Sequence, residues 1–322
     1  MQRMQIRSRL SRSTPLFWFL SLAAAASVLM LMTPPLRAAD KRIVLIAGRP
    51  SHPPGMHEFR AGCLLFQKAL TGYPGVTVQV YDGGWPSKMV DGARVDDSAA
   101  LDGADAVLIF SDGGKGHPAI QGDRMKVIDA LAAKGVGLGF AHYGVEVPAG
   151  VPGEAMQRWM GGYYETNWSV NPMWKPAFEK FPTHPITRGV KPFATHDEWY
   201  FNMRWTPDAA AKKKIMPILT ATPSDEVRKG PYVSPRGPYD HIIAASGNVE
   251  TMMWTFERAD GGRSFGFTGG HTHTNWGEPS QRRIMLNALL WLAKVDVPAQ
   301  GVQDKITEAD LALNLDDKTR KP

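Results

Sequence analysis

From residue 41 onward the sequence predicts an α/β protein, an open and mostly parallel sheet in a doubly wound, flavodoxin-like order with helices on both faces. Three features carry this expectation. Short apolar runs rich in branched residues end in glycine, as strands buried on both faces do. Helical stretches alternate with them. Right-handed crossovers leave few other orders for such a series.

"KRIVLIAG" (41–48) is the first strand, and a helix follows over 56–70, where "FRAGCLLFQKAL" repeats its apolar residues at helical spacing. "VTVQVYDGG" and "ADAVLIFSDGG" supply the next two strands, a helix covers 124–134, and "GVGLGFAHYG" is the fourth strand. Between about 148 and 238 the pattern changes to dense Trp, Tyr, Pro and Gly, which marks an aromatic-rich insertion. The α/β pattern returns with "TMMWTFER" (251–258) and "GRSFGFTGG" (262–270), two late strands joined by the turn "ADGG". A helix over 279–294 closes a domain spanning 41–298. The polar tail, 299–322, is either an exterior strap or partly disordered.

Arg3, Arg7, Arg9 and Arg12 precede an uncharged run from Pro15 to Met32, then Pro34, Pro35 and "LRAAD". This is the layout of a secretory signal over residues 1–38, with cleavage after Ala38, and it predicts a periplasmic or secreted protein. The apolar run is also long enough to anchor the chain if it is retained, so membrane contact is expected only in that case. Five of the 37 basic residues lie in this segment with no acid, leaving 32 bases against 31 acids. The rest of the chain is near neutral, so a nucleic-acid partner is not expected. The single cysteine, Cys63, falls inside the apolar pattern of the first helix, which excludes an internal disulfide and reads as a buried thiol. Oligomeric state is not legible.

Ligands of open parallel sheets bind beyond the carboxyl ends of the strands. The residues there are Ser51, His52, His57 and Glu58 after the first strand, Asp112 and His117 after the third, His142 and Glu146 after the fourth, and His271, His273 and Asn275 after the last. Most of the nine histidines therefore fall on one rim. His57 and Glu58 read equally well as the opening turn of the first helix, His117 as a loop residue before a proline, and Asp112 as a turn former. His142 follows a wholly apolar strand and is a site candidate. A strand period of two puts His271 and His273 on one side if the chain stays extended past Gly270. With His142 they would make a three-nitrogen set for a divalent ion such as Zn²⁺. In the alternative, one is a general base and the other packs or caps the last helix.

"IVLIAGRPSHPPGMHEF", "DGGWP", "SDGGKGHP", "GFAHYGVEVP", "GGYYETNWSVNPMW", "HPITRGVKPFATHDEWYFNMR" and "FGFTGGHTHTNW" together resemble the ThuA-like (trehalose utilisation) family, over residues 41 to about 303. The resemblance implies a class I glutamine amidotransferase-like three-layer sandwich and a link to the breakdown of oxidised sugars such as 3-keto-glycosides. In amidotransferases a cysteine occupies the turn after a central strand and His-x-Glu follows the last strand. Here those places hold His142 and the pair His271 and His273. An acyl-enzyme has no evident nucleophile, and glutamine hydrolysis is not expected.

His142, His271, Asp112, Glu146 and Glu198 are the candidate catalytic residues, and His142, His271 and His273 the candidate metal ligands. His52, Glu165, Trp168, Asn171, Asp197, Arg204, Asn275 and Trp276 are the candidate substrate contacts. Carboxylates among these orient imidazoles or carry protons, and Arg204 suits a ketone, hydroxyl or carboxylate. Trp85, Trp168, Trp174, Trp199 and Trp276 offer flat apolar faces for a sugar ring. Rings in irregular segments also form an insertion's own core, and at least half of these are expected to be structural. The expected function is an enzyme acting on a keto-sugar or 3-keto-glycoside, a hydrolase, lyase or isomerase, by acid/base chemistry with or without a metal ion, and with no nucleotide or flavin. The alternatives are a non-catalytic carbohydrate-binding protein and a subunit of an exported sugar oxidoreductase system.

Overall fold

Side-chain alternation along the first strand shows why helices must cover both faces of the sheet. The computed structural model describes residues 40–318, so the expected signal segment, 1–38, lies outside the described residues. In β1 (Lys41–Ala47) the residues Ile43, Leu45 and Ala47 enter one core, while Val44 and Ile46 enter the other. The chain continues through α1 (Phe59–Leu70), β2 (Val76–Tyr81), β3 (Ala106–Phe110), α2 (Arg124–Ala133), β4 (Gly137–Ala141), α3 (Val151–Met160), β5 (Ile215–Ala221), β6 (Glu250–Glu257), β7 (Arg263–Phe267) and α4 (Pro279–Leu292). Phe59, Cys63, Phe66 and Leu70 of α1 pack with α4 in the first core. Ile128 and Leu131 of α2 pack with Met156 and Trp159 of α3 in the second. The result is the expected three-layer sandwich.

The seven strands lie in the order β5-β6-β7-β4-β3-β1-β2. The run from β2 to β7 is parallel. β6 is antiparallel to both of its neighbours. A mostly parallel sheet in flavodoxin-like order is thus what forms, with β6 and β7 as the hairpin read from "ADGG".

The span 148–238 is less separate than its composition suggests, because it supplies both α3 and the edge strand β5. Pro217 hid β5 in the sequence. At a sheet edge the missing N–H is tolerated, and the pairing shifts register beside it. The remainder is aromatic and tied by two-residue pairings: Gly162–Tyr163 with Arg204–Trp205, Met173–Trp174 with Asp197–Glu198, and Ala177–Phe178 with Phe193–Ala194. The last of the described residues form a strap. After a short helix at Glu308–Leu311, the Asp316 N–H donates to Glu58 Oε2 at 2.8 Å, beside the loop that precedes α1. Among the described residues no helix is long and apolar enough to cross a membrane.

Candidate functional site

Loops after β1, β3, β4 and β7 meet at one rim of the sheet, and a segment of the 148–238 span closes over them. The chain turns sharply after β4, so that His142 takes a left-handed backbone (φ 52°) and is fully buried. Residues other than glycine hold that conformation only where surrounding structure over-determines it, as at functional turns. Gly113 lets the loop after β3 pass beneath, since a Cβ there would lie 2.1 Å from the Tyr143 carbonyl oxygen.

His142 Nδ1 donates to the Thr268 carbonyl at 3.0 Å. His57 Nδ1 donates to Asp112 Oδ1 at 2.7 Å. Each partner is an acceptor only, so each neutral ring turns an unprotonated Nε2 into the cluster. The two Nε2 atoms nonetheless face each other at 3.0 Å. His271 Nδ1 lies 2.9 Å from His57 Nε2 and 2.7 Å from Glu198 Oε2. Glu198 Oε2 is 4.0 Å from His142 Nε2, and its other oxygen accepts from Asn171 Nδ2 at 2.7 Å. Burial holds both His57 and His142 well below the ordinary imidazole value, each further lowered by its neighbouring histidines. Burial pushes the Glu198 carboxyl up.

One ligand atom from each of His57, His142, His271 and Glu198 falls within 4.8 Å of the others, and this buried cluster could hold a metal ion. The donor set suits one. Three imidazoles and a carboxylate are zinc-type ligands. The carboxylate behind His57, the carbonyl behind His142 and the amide behind Glu198 are the outer partners that orient such ligands.

A cavity of about 290 Å³ opens against the cluster and is lined by His52, His57, Tyr143, Glu146, Glu198 and Tyr200, with Asn171, Thr166 and Val233–Pro235 completing it. The Tyr200 hydroxyl lies 3.3 Å from His142 Nε2. Glu146 accepts from the Thr166 hydroxyl at 2.9 Å, and burial raises its carboxyl to about 7. His52 is exposed and stacks on His57 with ring centroids 3.6 Å apart. Val233 and Ser234 dock through their N–H groups on the Asn171 carbonyl and side-chain oxygen, each at 3.2 Å. Asn171 therefore joins the cavity roof to Glu198.

Of the candidate residues, His142, His271, Asp112, Glu146, Glu198, His52 and Asn171 come together here. His273 does not belong to the metal set. Gly270 takes φ 102°, the extended conformation ends, and the period of two no longer applies. The His273 ring is buried among Glu58, Leu311 and Lys318 instead. Asp197 does not line this cavity. It accepts from the Gly270 and Thr272 N–H groups at 2.8 and 3.0 Å and so shapes the turn that presents His271. Arg204 pairs with Glu165 at 2.6 Å and lies 3.7 Å above the Trp168 ring, so all three are engaged with one another away from the cavity lining. Asn275 donates to the His196 carbonyl at 2.9 Å. Trp276 is fully buried against Phe66, Phe110 and Phe267. Trp85, Trp174 and Trp199 are also buried. His57, read as an equal candidate for a helix opening, is the hub of the cluster. Its signal was its place after the first strand, and its left-handed backbone (φ 49°) keeps it out of α1. Tyr200 carried no signal beyond following Glu198 by two residues.

A doubly wound three-layer α/β sandwich with a buried histidine on the tight turn after a central strand is the class of protein that the fold and the site define. Residues 84–292 match the ThuA family, described as trehalose utilisation, and the chain belongs to that family. A ThuA-like protein from Bacteroides uniformis is 14% identical, with a TM-score of 0.55 over 80% of this chain and 94% of that one. A ThuA-like protein from Parabacteroides merdae is 15% identical, with a TM-score of 0.48 over 84% and 94%. The glutaminase domain of Trypanosoma brucei CTPS, with bound acivicin, is 10% identical, with a TM-score of 0.42 over 82% and 98%. No curated protein matches the chain.

Proposed function

We propose that this chain is an exported carbohydrate-active enzyme that acts on a neutral keto-sugar or 3-keto-glycoside by metal-assisted acid/base chemistry. The observation that carries the reading is the convergence of His57 and His142, whose Nε2 atoms face each other at 3.0 Å while each Nδ1 is committed to an acceptor, with His271 and Glu198 at one buried point. Two unprotonated imidazole nitrogens so placed gain nothing from each other, and a shared cation would bind both. A bound ion such as Zn²⁺ would supply Lewis-acid polarisation of a ketone or hydroxyl oxygen.

The remaining chemistry is assigned to side chains. Glu146, held near neutrality, is suited to take a proton from the carbon next to a carbonyl and return it. Asp112 holds the His57 ring, and Tyr200 presents a hydroxyl to the same space. Among the described residues no lysine or arginine lines the cavity, which favours an uncharged substrate over a sugar phosphate or a uronate. The volume of about 290 Å³ lies just below the roughly 300–1,000 Å³ range of ligand pockets and suits one sugar ring. Acyl-enzyme chemistry is disfavoured because Cys63 is fully buried in α1, where burial raises its thiol. Export rests on the layout of residues 1–38.

The test is elemental analysis of the purified protein before and after chelation, paired with turnover of 3-keto-glucosides. Stoichiometric metal and chelator-sensitive turnover are expected. Full turnover by metal-free protein would remove the ion and leave acid/base catalysis. Sugar binding without turnover would make this a binding protein.

A further inference from the structure

We propose that Lys318 and Glu58 are positioning residues for His57, so that the strap after α4 is a working part of the histidine site. The proposal rests on the metal-binding reading above. His57 and Lys318 both lie outside the residues matched to the family, 84–292.

His57 needs support because its backbone is left-handed, a conformation that persists only when neighbours hold it. On one side the support comes from the turn after β7. The His57 N–H donates to the His271 carbonyl, and the His273 N–H to the Gly55 carbonyl, both at 2.9 Å. On the other side it comes from a residue 258 positions away, since the Asp316 N–H donates to Glu58 Oε2. The Lys318 ammonium lies 3.1 Å from Glu58 Oε1 and also donates to the Met56 carbonyl. Glu58 Oε1 in turn accepts the Gly55 N–H at 2.9 Å. Residues 55–58 are thus clamped between two segments, with His57 in the middle.

Burial makes this clamp more than a surface ion pair. The Lys318 and Glu58 side chains are only 5% and 1% exposed. Removing one partner leaves the other charge uncompensated, and the response is movement of the loop to reach solvent. The group displaced is His57 Nε2, which sits within 3.0 Å of both other ring nitrogens of the cluster. Loss of an outer partner of a metal ligand typically weakens an ion by about 10–100-fold, and the clamp acts one residue further out.

The experiment uses the full chain carrying Lys318→Met, Glu58→Gln or His57→Ala, and the double variant Lys318→Met/His57→Ala. Co²⁺ is the probe, its affinity taken from titration and its ligand field from visible absorption. Lys318→Met is expected to weaken Co²⁺ by about 10-fold and to change the spectrum toward that of His57→Ala. The double variant should be no weaker than His57→Ala alone, and Lys318→Arg should restore part of the loss. Amide exchange at His57 should quicken in Lys318→Met whether or not an ion binds, which separates this proposal from the metal reading. Unchanged exchange at His57 would overturn the clamp. So would a loss of affinity that adds fully to that of His57→Ala. If wild-type protein takes no Co²⁺ while exchange still quickens in Lys318→Met, the metal reading fails and the clamp stands.

Discussion

The Nε2 atoms of His57 and His142 face each other at 3.0 Å because each ring has its Nδ1 fixed to an acceptor, Asp112 in one case and the Thr268 carbonyl in the other. Neither ring can turn to relieve the contact without breaking a buried hydrogen bond, at a cost of about 1–3 kcal/mol. The cluster is therefore arranged in advance.

His57→Ala, His142→Ala and His271→Ala should each cost more metal affinity than the roughly 10–100-fold that loss of an outer partner brings. His273→Ala should keep the ion, because its ring lies among Glu58, Leu311 and Lys318. Metal content per folded chain decides the matter. Equal loss in His273→Ala would restore the set read from spacing.

Asn171→Ala removes the donor to Glu198 Oε1 and the acceptor for the Ser234 N–H together. Metal affinity should fall by about 10–100-fold, and amide exchange across 232–234 should quicken. Change in one readout without the other would show that the cavity roof and Glu198 are not joined.

Glu146 holds its proton to about pH 7 in the folded protein, whereas an unfolded glutamate releases it near 4.3. Between those values the folded state binds more protons, so this residue makes stability fall as pH rises through the window, with no further change above it. Glu146→Gln should remove the slope and gain on the order of 3 kcal/mol relative to wild type at pH 8, with little difference at pH 4. Denaturant unfolding at the two pH values measures it. A matching loss of the activity limb near pH 7 is expected on the catalytic reading.

Trp276→Ala should destabilise the fold by about 3–5 kcal/mol through the cavity left among Phe66, Phe110 and Phe267. Sugar affinity per folded molecule should stay unchanged, since the ring is buried away from the cavity lining. Weakened binding at full folding would return Trp276 to the substrate contacts.

Local pattern in the chain was enough to determine the sandwich. Strand and helix periods are short-range properties, and "KRIVLIAG" or "FRAGCLLFQKAL" shows its buried faces without reference to any other segment. The rim on which the histidines gather was legible for the same reason, since it follows from where each strand ends. Which imidazoles share a centre was decided only by tertiary structure. His57 meets His142 across 85 residues and His271 across 214, and no period spans those distances. The pairing inferred for His273 assumed extended backbone past Gly270, whose positive φ turns the ring into another compartment. Ring orientation depends on partners such as the Thr268 carbonyl and Asp112, and those contacts exist only once the loops have met.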